Sequence, residues 1–298
     1  MQDTPAELLR TLLSVEPDDV RPTSSPVAYL AGVDTRQVLL KMPASGRPGS
    51  ALAEAWAYGQ ASAHGVSTSA IRAVSDDPEC FVADCLPGRS LWERGQSVTS
   101  DRVIWQQMGE DLRRLHEVKV PGFGPLVIRE GVAQGAGQTW SPFVDFTRSR
   151  GLEQLGEQGY LDAVTVGELE RRYDDAGDAL TMQGPGSLVH GDMEGGHVFA
   201  VDGHYVGVID FGQTQIGDPR WDLARIALWD GLDATDAVID GYGSDAIAEE
   251  DRQVVFPLYL LAFVVAFAAR AHAEGRPAAV VEHLQIIGID AAIPRRNS

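Results

Sequence analysis

The stretch Val189-His190-Gly191-Asp192-Met193-Glu194-Gly195-Gly196-His197-Val198-Phe199, followed by Gly207-Val208-Ile209-Asp210-Phe211-Gly212, is the chemically densest part of the chain. Two short apolar runs, 198–201 and 205–209, flank Asp202-Gly203, a dipeptide suited to the left-handed turn of a two-residue hairpin. Closing that hairpin brings Asp192, His197 and Asp210 together. All three sit on loops, and each offers a lone pair to a metal or accepts a proton.

Working outward, the upstream third reads as strands with one helix. Val27 to Leu30 and Gln37 to Met42 are β-rich and separated by a turn at Gly32. Lys41, one of only two lysines in the chain, lies in the second of these apolar runs. An Ala-rich helix carrying Glu54 spans residues 51–63 and stops before Gly65. Cys80 to Leu86 is a further apolar run, closed by the turn pair Pro87-Gly88. Beyond it the texture becomes helical. Between Arg102 and Glu117, apolar Val103, Ile104, Met108, Leu112 and Leu115 recur at helical spacing, Leu161 to Leu180 is a second helical stretch, and helices return from Asp218 onward. This organisation predicts an α+β protein of two lobes: a small β-rich N-terminal lobe, residues 1–86, and a larger, mostly helical C-terminal lobe, residues 87–298. A cleft between unequal lobes is a common place for a ligand.

Composition narrows the function. With 43 acidic against 24 basic side chains in 298 residues the net charge is −19, and no run of Lys or Arg reverses it locally. Nucleic acids and anionic membranes are therefore poor partners. Two cysteines, Cys80 and Cys85, are too few for a disulfide framework and point to a reducing cytoplasm. The start of the chain has no basic region followed by an apolar one, as a secretory signal would. Val254 to Ala269 is uncharged but contains Pro257 and falls short of the ~20 residues of a bilayer span, so it reads as a buried core helix.

His190-Gly191-Asp192 with Asp210-Phe211-Gly212 resembles the catalytic and metal loops of the aminoglycoside phosphotransferases, a family that includes macrolide phosphotransferases and is related to protein kinases. The resemblance spans residues 24–243 in order. It includes Lys41 and Glu54 as a phosphate-binding lysine with its partner, and Phe81 to Gly88 as a hinge. Leu115-His116-Glu117, Pro121-Gly122-Phe123-Gly124, Gly217-Asp218-Pro219 and Asp222-Leu223-Ala224 continue it.

What the resemblance implies is a protein-kinase-like fold and transfer of the γ-phosphoryl group of ATP or GTP, with Mg²⁺, to a hydroxyl of a small molecule, an antibiotic of aminoglycoside, macrolide or nucleoside type. Asp192 would orient the attacking hydroxyl. Asp210 would hold the metal, and Lys41, aimed by Glu54, would meet the α- and β-phosphates. The backbone of Asp84 and Leu86 would hold the base, and Ser24 and Ser25 would cover the phosphates in place of a glycine-rich loop. Trp140, Trp229 and Asp230 are candidates to line the acceptor pocket, although for the two tryptophans core packing is at least as strong a reading. Where kinase-like loops carry a second metal-binding Asn, this chain has His197, as macrolide phosphotransferases do, either ligating the metal or holding a metal-bound water. The expected state is a monomer or homodimer.

Three rivals remain: a kinase for an ordinary amino sugar or amino alcohol, a pseudokinase that binds nucleotide without turnover, and a metal hydrolase using His190, Asp192, His197 and Asp210. The hydrolase leaves Lys41 and the hinge without a role.

Overall fold

The computed structural model describes residues 3–294 except 44–46, 48, 94, 95, 98–100, 183, 250 and 292. Helix α1 (Pro5–Leu13) precedes strands β1 (Asp18–Pro22), β2 (Ala28–Val33) and β3 (Arg36–Lys41). Helix α2 (Ser50–Ala63) and strands β4 (Ile71–Asp76) and β5 (Glu79–Asp84) follow. These strands form an antiparallel sheet in the order β1-β2-β3-β5-β4. Period-two alternation decides what each face carries. Val38 and Leu40 of β3, with Cys80 and Val82 of β5, pack on Leu8 and Leu9 of α1. Phe81 and Ala83, on the opposite face, join Tyr58 and the alanines of α2. Lys41 is out of phase with the α1-facing pair and so emerges on the α2 side.

The β-rich part ends at β5, and β6 (Arg89–Ser90) already pairs with the hairpin of β13 (Val198–Val201) and β14 (His204–Val208). The hairpin has the turn its sequence predicts, since Asp202 and Gly203 take φ of 50° and 79°. Strands β7 (Trp92–Glu93) and β8 (Gln96–Ser97) form a small ribbon. After helix α3 (Arg102–Glu117) come β9 (Lys119–Val120), β10 (Phe123–Arg129) and β11 (Val132–Gly137), then helices α4 (Ser141–Glu157) and α5 (Ala163–Ala176). With β12 (Gly186–Val189) and β15 (Gln215–Gly217) they build a second sheet, ordered β11-β10-β15-β12-β9. Helices α6 (Arg220–Trp229), α7 (Gly231–Tyr242), α8 (Phe256–Ala273) and α9 (Pro277–Ile286) complete the C-terminal part.

Helix α3 has the predicted limits, capped by the Asp101 side chain on the Val103 amide. Its buried face is set by Ile104, Trp105, Met108, Leu112 and Leu115, whereas Val103 is exposed, because it falls on the solvent side of the helix with Gln107, Glu110 and Arg113. The apolar segment near Pro257 extends through α8. Residues 251–273 are long and apolar enough to span a membrane, yet about two-thirds of the most apolar window is buried inside the protein, against α4, α6 and α9.

Helices α3 and α7 cross at backbone contact. A β-carbon on Gly109 would lie 2.1 Å from the Val238 carbonyl oxygen, and one on Gly241 would lie 1.9 Å from that of Gln106. Gly241→Ala must therefore push two helices apart and should lower stability by about 2–3 kcal/mol in urea unfolding. Gly167→Ala, in open space on α5, should be neutral or raise it by up to about 1 kcal/mol.

Candidate active site

Lys41 Nζ lies 2.7 Å from Glu54 Oε1 and 2.8 Å from Asp210 Oδ1, so one ammonium joins a strand, a helix and a loop that are distant in sequence. The helix is fixed at both ends of this contact. At its N-terminus, Glu79 accepts from the amides of Gly49 (2.6 Å) and Ala51 (2.8 Å), as a carboxylate should at the positive end of a helix dipole. One turn beyond Glu54, the Tyr58 hydroxyl accepts from the Asp210 amide at 2.8 Å, and its ring packs edge-on against Phe211 with centroids 4.7 Å apart. Asp210 itself sits in the left-handed region, φ 67°. That conformation is uncommon outside glycine and is retained where surroundings dictate it.

Burial and charge pull the two carboxylates apart. Burial drives Glu54 up to about 7, with Lys41 only partly offsetting it and the Asp210 charge adding to the rise. Burial also pushes Asp210 upward, but Lys41 and His197 outweigh it and hold the group at about 2. For Lys41, burial favours the neutral amine and is overcome by Glu54 and Asp210, so the ammonium is retained. One cation thus serves an ionised Asp210 and a Glu54 that is harder to ionise.

The loop after β12 is held from below by Asp222, which is fully buried. Its Oδ2 accepts from the His190 amide at 2.7 Å and its Oδ1 from the Gly191 amide at 2.8 Å. His116 Nε2 lies 3.1 Å from Oδ2, and the other His116 ring nitrogen is 3.0 Å from the Tyr242 hydroxyl. Burial raises the Asp222 carboxyl, but these hydrogen bonds and the nearby imidazoles bring it below the ordinary value. Gly191 has φ 82°, and a β-carbon there would lie 2.0 Å from the Gln213 carbonyl oxygen, so the residue before Asp192 has to be glycine. The His190 ring donates to the Ile209 carbonyl (2.9 Å) and accepts from the Asp192 amide (3.3 Å), linking this loop to the strand that leads into Asp210.

His197 bridges the two loops. Its Nδ1 is 2.8 Å from the Asp192 carbonyl oxygen, which can only accept, so Nδ1 carries a proton and Nε2 is the nitrogen left to face Asp210. That atom is 3.9 Å from Asp210 Oδ2. A carboxylate oxygen and an imidazole nitrogen therefore converge, while the other Asp210 oxygen stays with Lys41. Among the described residues no three His, Cys, Asp or Glu side chains form a self-sufficient metal cluster. The Asp210 carboxylate suits a hard divalent cation that takes its remaining ligands from phosphates and water, and the softer imidazole of His197 fits better as the holder of a metal-bound water.

The other expected residues fall in different places. Ser25 lines a cavity of about 190 Å³ with Lys41, Arg47, Glu54, Asp210 and Gly212, whereas Ser24 is exposed and is not among its lining residues. The Asp84 amide donates to Ala70 O and the Cys85 amide to Gln37 O, while the Asp84 carboxylate pairs with Arg72. Both amides are spent within the sheet; the Leu86 amide has no partner among the described residues. Asp230 accepts from Trp92 Nε1 (2.7 Å) and the Gly195 amide (2.9 Å), beside the Asp192 loop. Trp229 is half-buried, between Trp92 and Phe267. Trp140 does not line a pocket: it is 1% exposed, bonded to the Tyr259 hydroxyl, with its ring over Gly217. Asp218 accepts from the Arg220 amide, as an N-terminal cap does, and also binds the Arg220 side chain and the Tyr259 hydroxyl.

Sequence reading passed over Tyr58, Glu79, Trp92, Glu194 and Arg225. For Arg225 a signal existed, because it stands three residues after Asp222 and shares its side of α6.

An acid whose folded value is raised costs stability as pH climbs from its unfolded value, 4.5, through about 7. The nucleotide-free protein should lose on the order of 1–3 kcal/mol from Glu54 between pH 5 and pH 8. In urea titrations the gap between wild type and Glu54→Gln should accordingly shift in favour of the variant as pH rises; a gap independent of pH would contradict this.

A family model described as the phosphotransferase enzyme family, APH, matches residues 20–255. No curated protein sequence matches the chain. Among solved structures it is similar to a thermostable mutant of aminoglycoside phosphotransferase APH(4)-Ia in ternary complex with ADP and hygromycin B. That match has 13% identity and a TM-score of 0.71, over 96% of this chain and 97% of that one. A putative fructosamine-3-kinase from Thermobifida fusca matches at 21% identity and TM-score 0.65, over 96% and 99%. Macrolide 2'-phosphotransferase MphH from Brachybacterium faecium matches at 16% and 0.64, over 95% and 97%. Matched over most of its length by the family model, and sharing the α+β kinase-like fold of these structures, the chain belongs to the phosphotransferase enzyme family and is an O-phosphotransferase.

Proposed function

We propose that the protein transfers the γ-phosphoryl group of ATP or GTP to a hydroxyl of a small-molecule antibiotic in the cytoplasm, inactivating it. The observation that carries this reading is the single ammonium of Lys41 held between Glu54 and Asp210, with His197 spanning from Asp210 to the Asp192 loop. That set collects a cation for phosphates, an anion for a metal and a carboxylate for a hydroxyl.

Lys41 binds the α- and β-phosphates, and its swing is limited by Glu54. Ser25 lies over the same cavity. The Leu86 amide is the hinge donor left for the base, while Asp84 braces the hinge through Arg72. Asp210 and His197 hold Mg²⁺, which when bound neutralises charge on the β- and γ-phosphates. Asp192 accepts a hydrogen bond from the acceptor hydroxyl and aims its oxygen in line with the γ-phosphorus. In a loose transition state orientation matters more than full deprotonation. The bond from the β,γ-bridging oxygen to phosphorus breaks, the new oxygen–phosphorus bond forms, and the hydroxyl proton leaves by way of Asp192.

The acidic chain favours cationic acceptors, and the hygromycin B complex supports a bulky hydroxylated one. The fructosamine-3-kinase likeness supports the second reading, an amino sugar of ordinary metabolism. A pseudokinase would have no need to keep Lys41, Asp192 and Asp210 together.

Nucleoside diphosphate release should be measured with ATP and with GTP against a panel of aminoglycosides, macrolides, nucleoside antibiotics and amino sugars. Stimulation by an antibiotic supports the first reading, by a sugar alone the second, and by nothing in the panel neither. Asp192→Ala and Asp210→Ala should each lower turnover by ~10²–10⁴-fold, with nucleotide binding retained better in the first. His197→Ala should raise the Mg²⁺ concentration for half-maximal rate about tenfold, and His197→Asn should recover much of it. An unchanged Mg²⁺ dependence in His197→Ala would remove the metal role.

A further inference from the structure

Asp192 is not a free carboxylate. Its Oδ1 is hydrogen-bonded to Arg225 Nη2, and the same nitrogen lies 3.6 Å from Glu194 Oε2. The guanidinium is set from the other side by two rings of α8, its central carbon lying 5.4 Å from the Phe263 centroid and 5.0 Å from that of Phe267. Arg225 is 9% exposed, and its Nε has no hydrogen-bond partner among the described residues. Burying a guanidinium costs free energy that a loose ion pair does not recover. Here its planar group is backed on one side by two aromatic rings and aimed at one oxygen of one carboxylate.

We propose that Arg225 is a positioning residue that holds Asp192 by one oxygen so that the other faces the acceptor hydroxyl. The inference rests on the role given to Asp192 above. Three features support it. Asp192 is flanked within two residues by Glu194, a carboxylate that would otherwise repel it, and Arg225 serves both. The socket is rigid, since Phe263 is buried and Phe267 packs against the same apolar core. Arg225 also shares α6 with Asp222, so one helix orients the backbone of the loop through Asp222 and its side chain through Arg225. A carboxylate fixed at one oxygen loses the rotation that would spoil an in-line approach, and misplacement of about 1 Å can cost 10²-fold in rate.

The test is a double-mutant cycle on the full chain, with MgATP and separately MgGTP as donor and water as acceptor, read as nucleoside diphosphate release. Methionine fills the space beside the rings without charge, so Arg225→Met should lower kcat by 10- to 100-fold and leave KM for nucleotide within threefold. Arg225→Lys, which retains a charge and guards against a folding failure, should recover part of the rate. In an Asp192→Asn background Arg225→Met should change the residual rate less than twofold, because the group it positions is already compromised. An equal fold loss in both backgrounds would make Arg225 a packing residue and overturn the inference. So would a single variant within twofold of wild type. Where water supports no release, the cycle is read with a panel acceptor that does; were the wild type to release no diphosphate from either donor with water or any panel acceptor, the phosphotransferase reading would fall first and the inference with it.

Discussion

One ammonium between two carboxylates organises the molecule. Lys41 is drawn out of water into contact with Glu54 and Asp210, and this arrangement is tolerable only because both partners are supplied at hydrogen-bond distance. Removing Lys41 would leave two carboxylates without their shared cation. Strand β3, helix α2 and the Asp210 loop are thus bound to a single relative placement, and the cleft inherits its shape from that placement.

A second anchor lies below the first. Asp222, His116 and Tyr242 form a buried polar chain whose free valences are spent on the backbone amides of the loop carrying Asp192. Fully satisfied networks of this sort rigidify what they touch. In the mechanism proposed above, the upper anchor would set where phosphates sit and the lower one where the reacting hydroxyl approaches. His197 connects the two through one ring, with each of its nitrogens directed at a different loop.

Much of this is visible in the amino-acid order, and the reasons for the remainder are physical. Lys41 stands out because lysine is rare in the chain and its strand is apolar, and Asp192 and Asp210 stand out because glycines frame them. The hairpin follows from Asp202-Gly203, where both residues need positive φ. By contrast, α4 carries Gly151 in its interior because Val265 of α8 lies where a side chain would go, and that long-range contact leaves no local trace. Val132–Gly137 is a strand despite two glycines, since its register is imposed by β10. Trp140 reads in sequence as either a pocket aromatic or a core one, and the packed fold decides for the core, with the Gly217 backbone against one of its faces. The pairing of Glu79 with the start of α2, and of Arg225 with Asp192, joins residues about thirty positions apart, beyond the reach of periodicity.

Many kinase-like proteins switch by letting the segment at the metal-binding aspartate swing away from its helix. Here Tyr58 fastens that segment twice, by its hydroxyl on the Asp210 amide and by its ring on Phe211, a side chain only 1% exposed. A latch made of core packing is closed by folding itself. The placement of Asp210 beside Lys41 therefore comes with the folded core and is not a separate step.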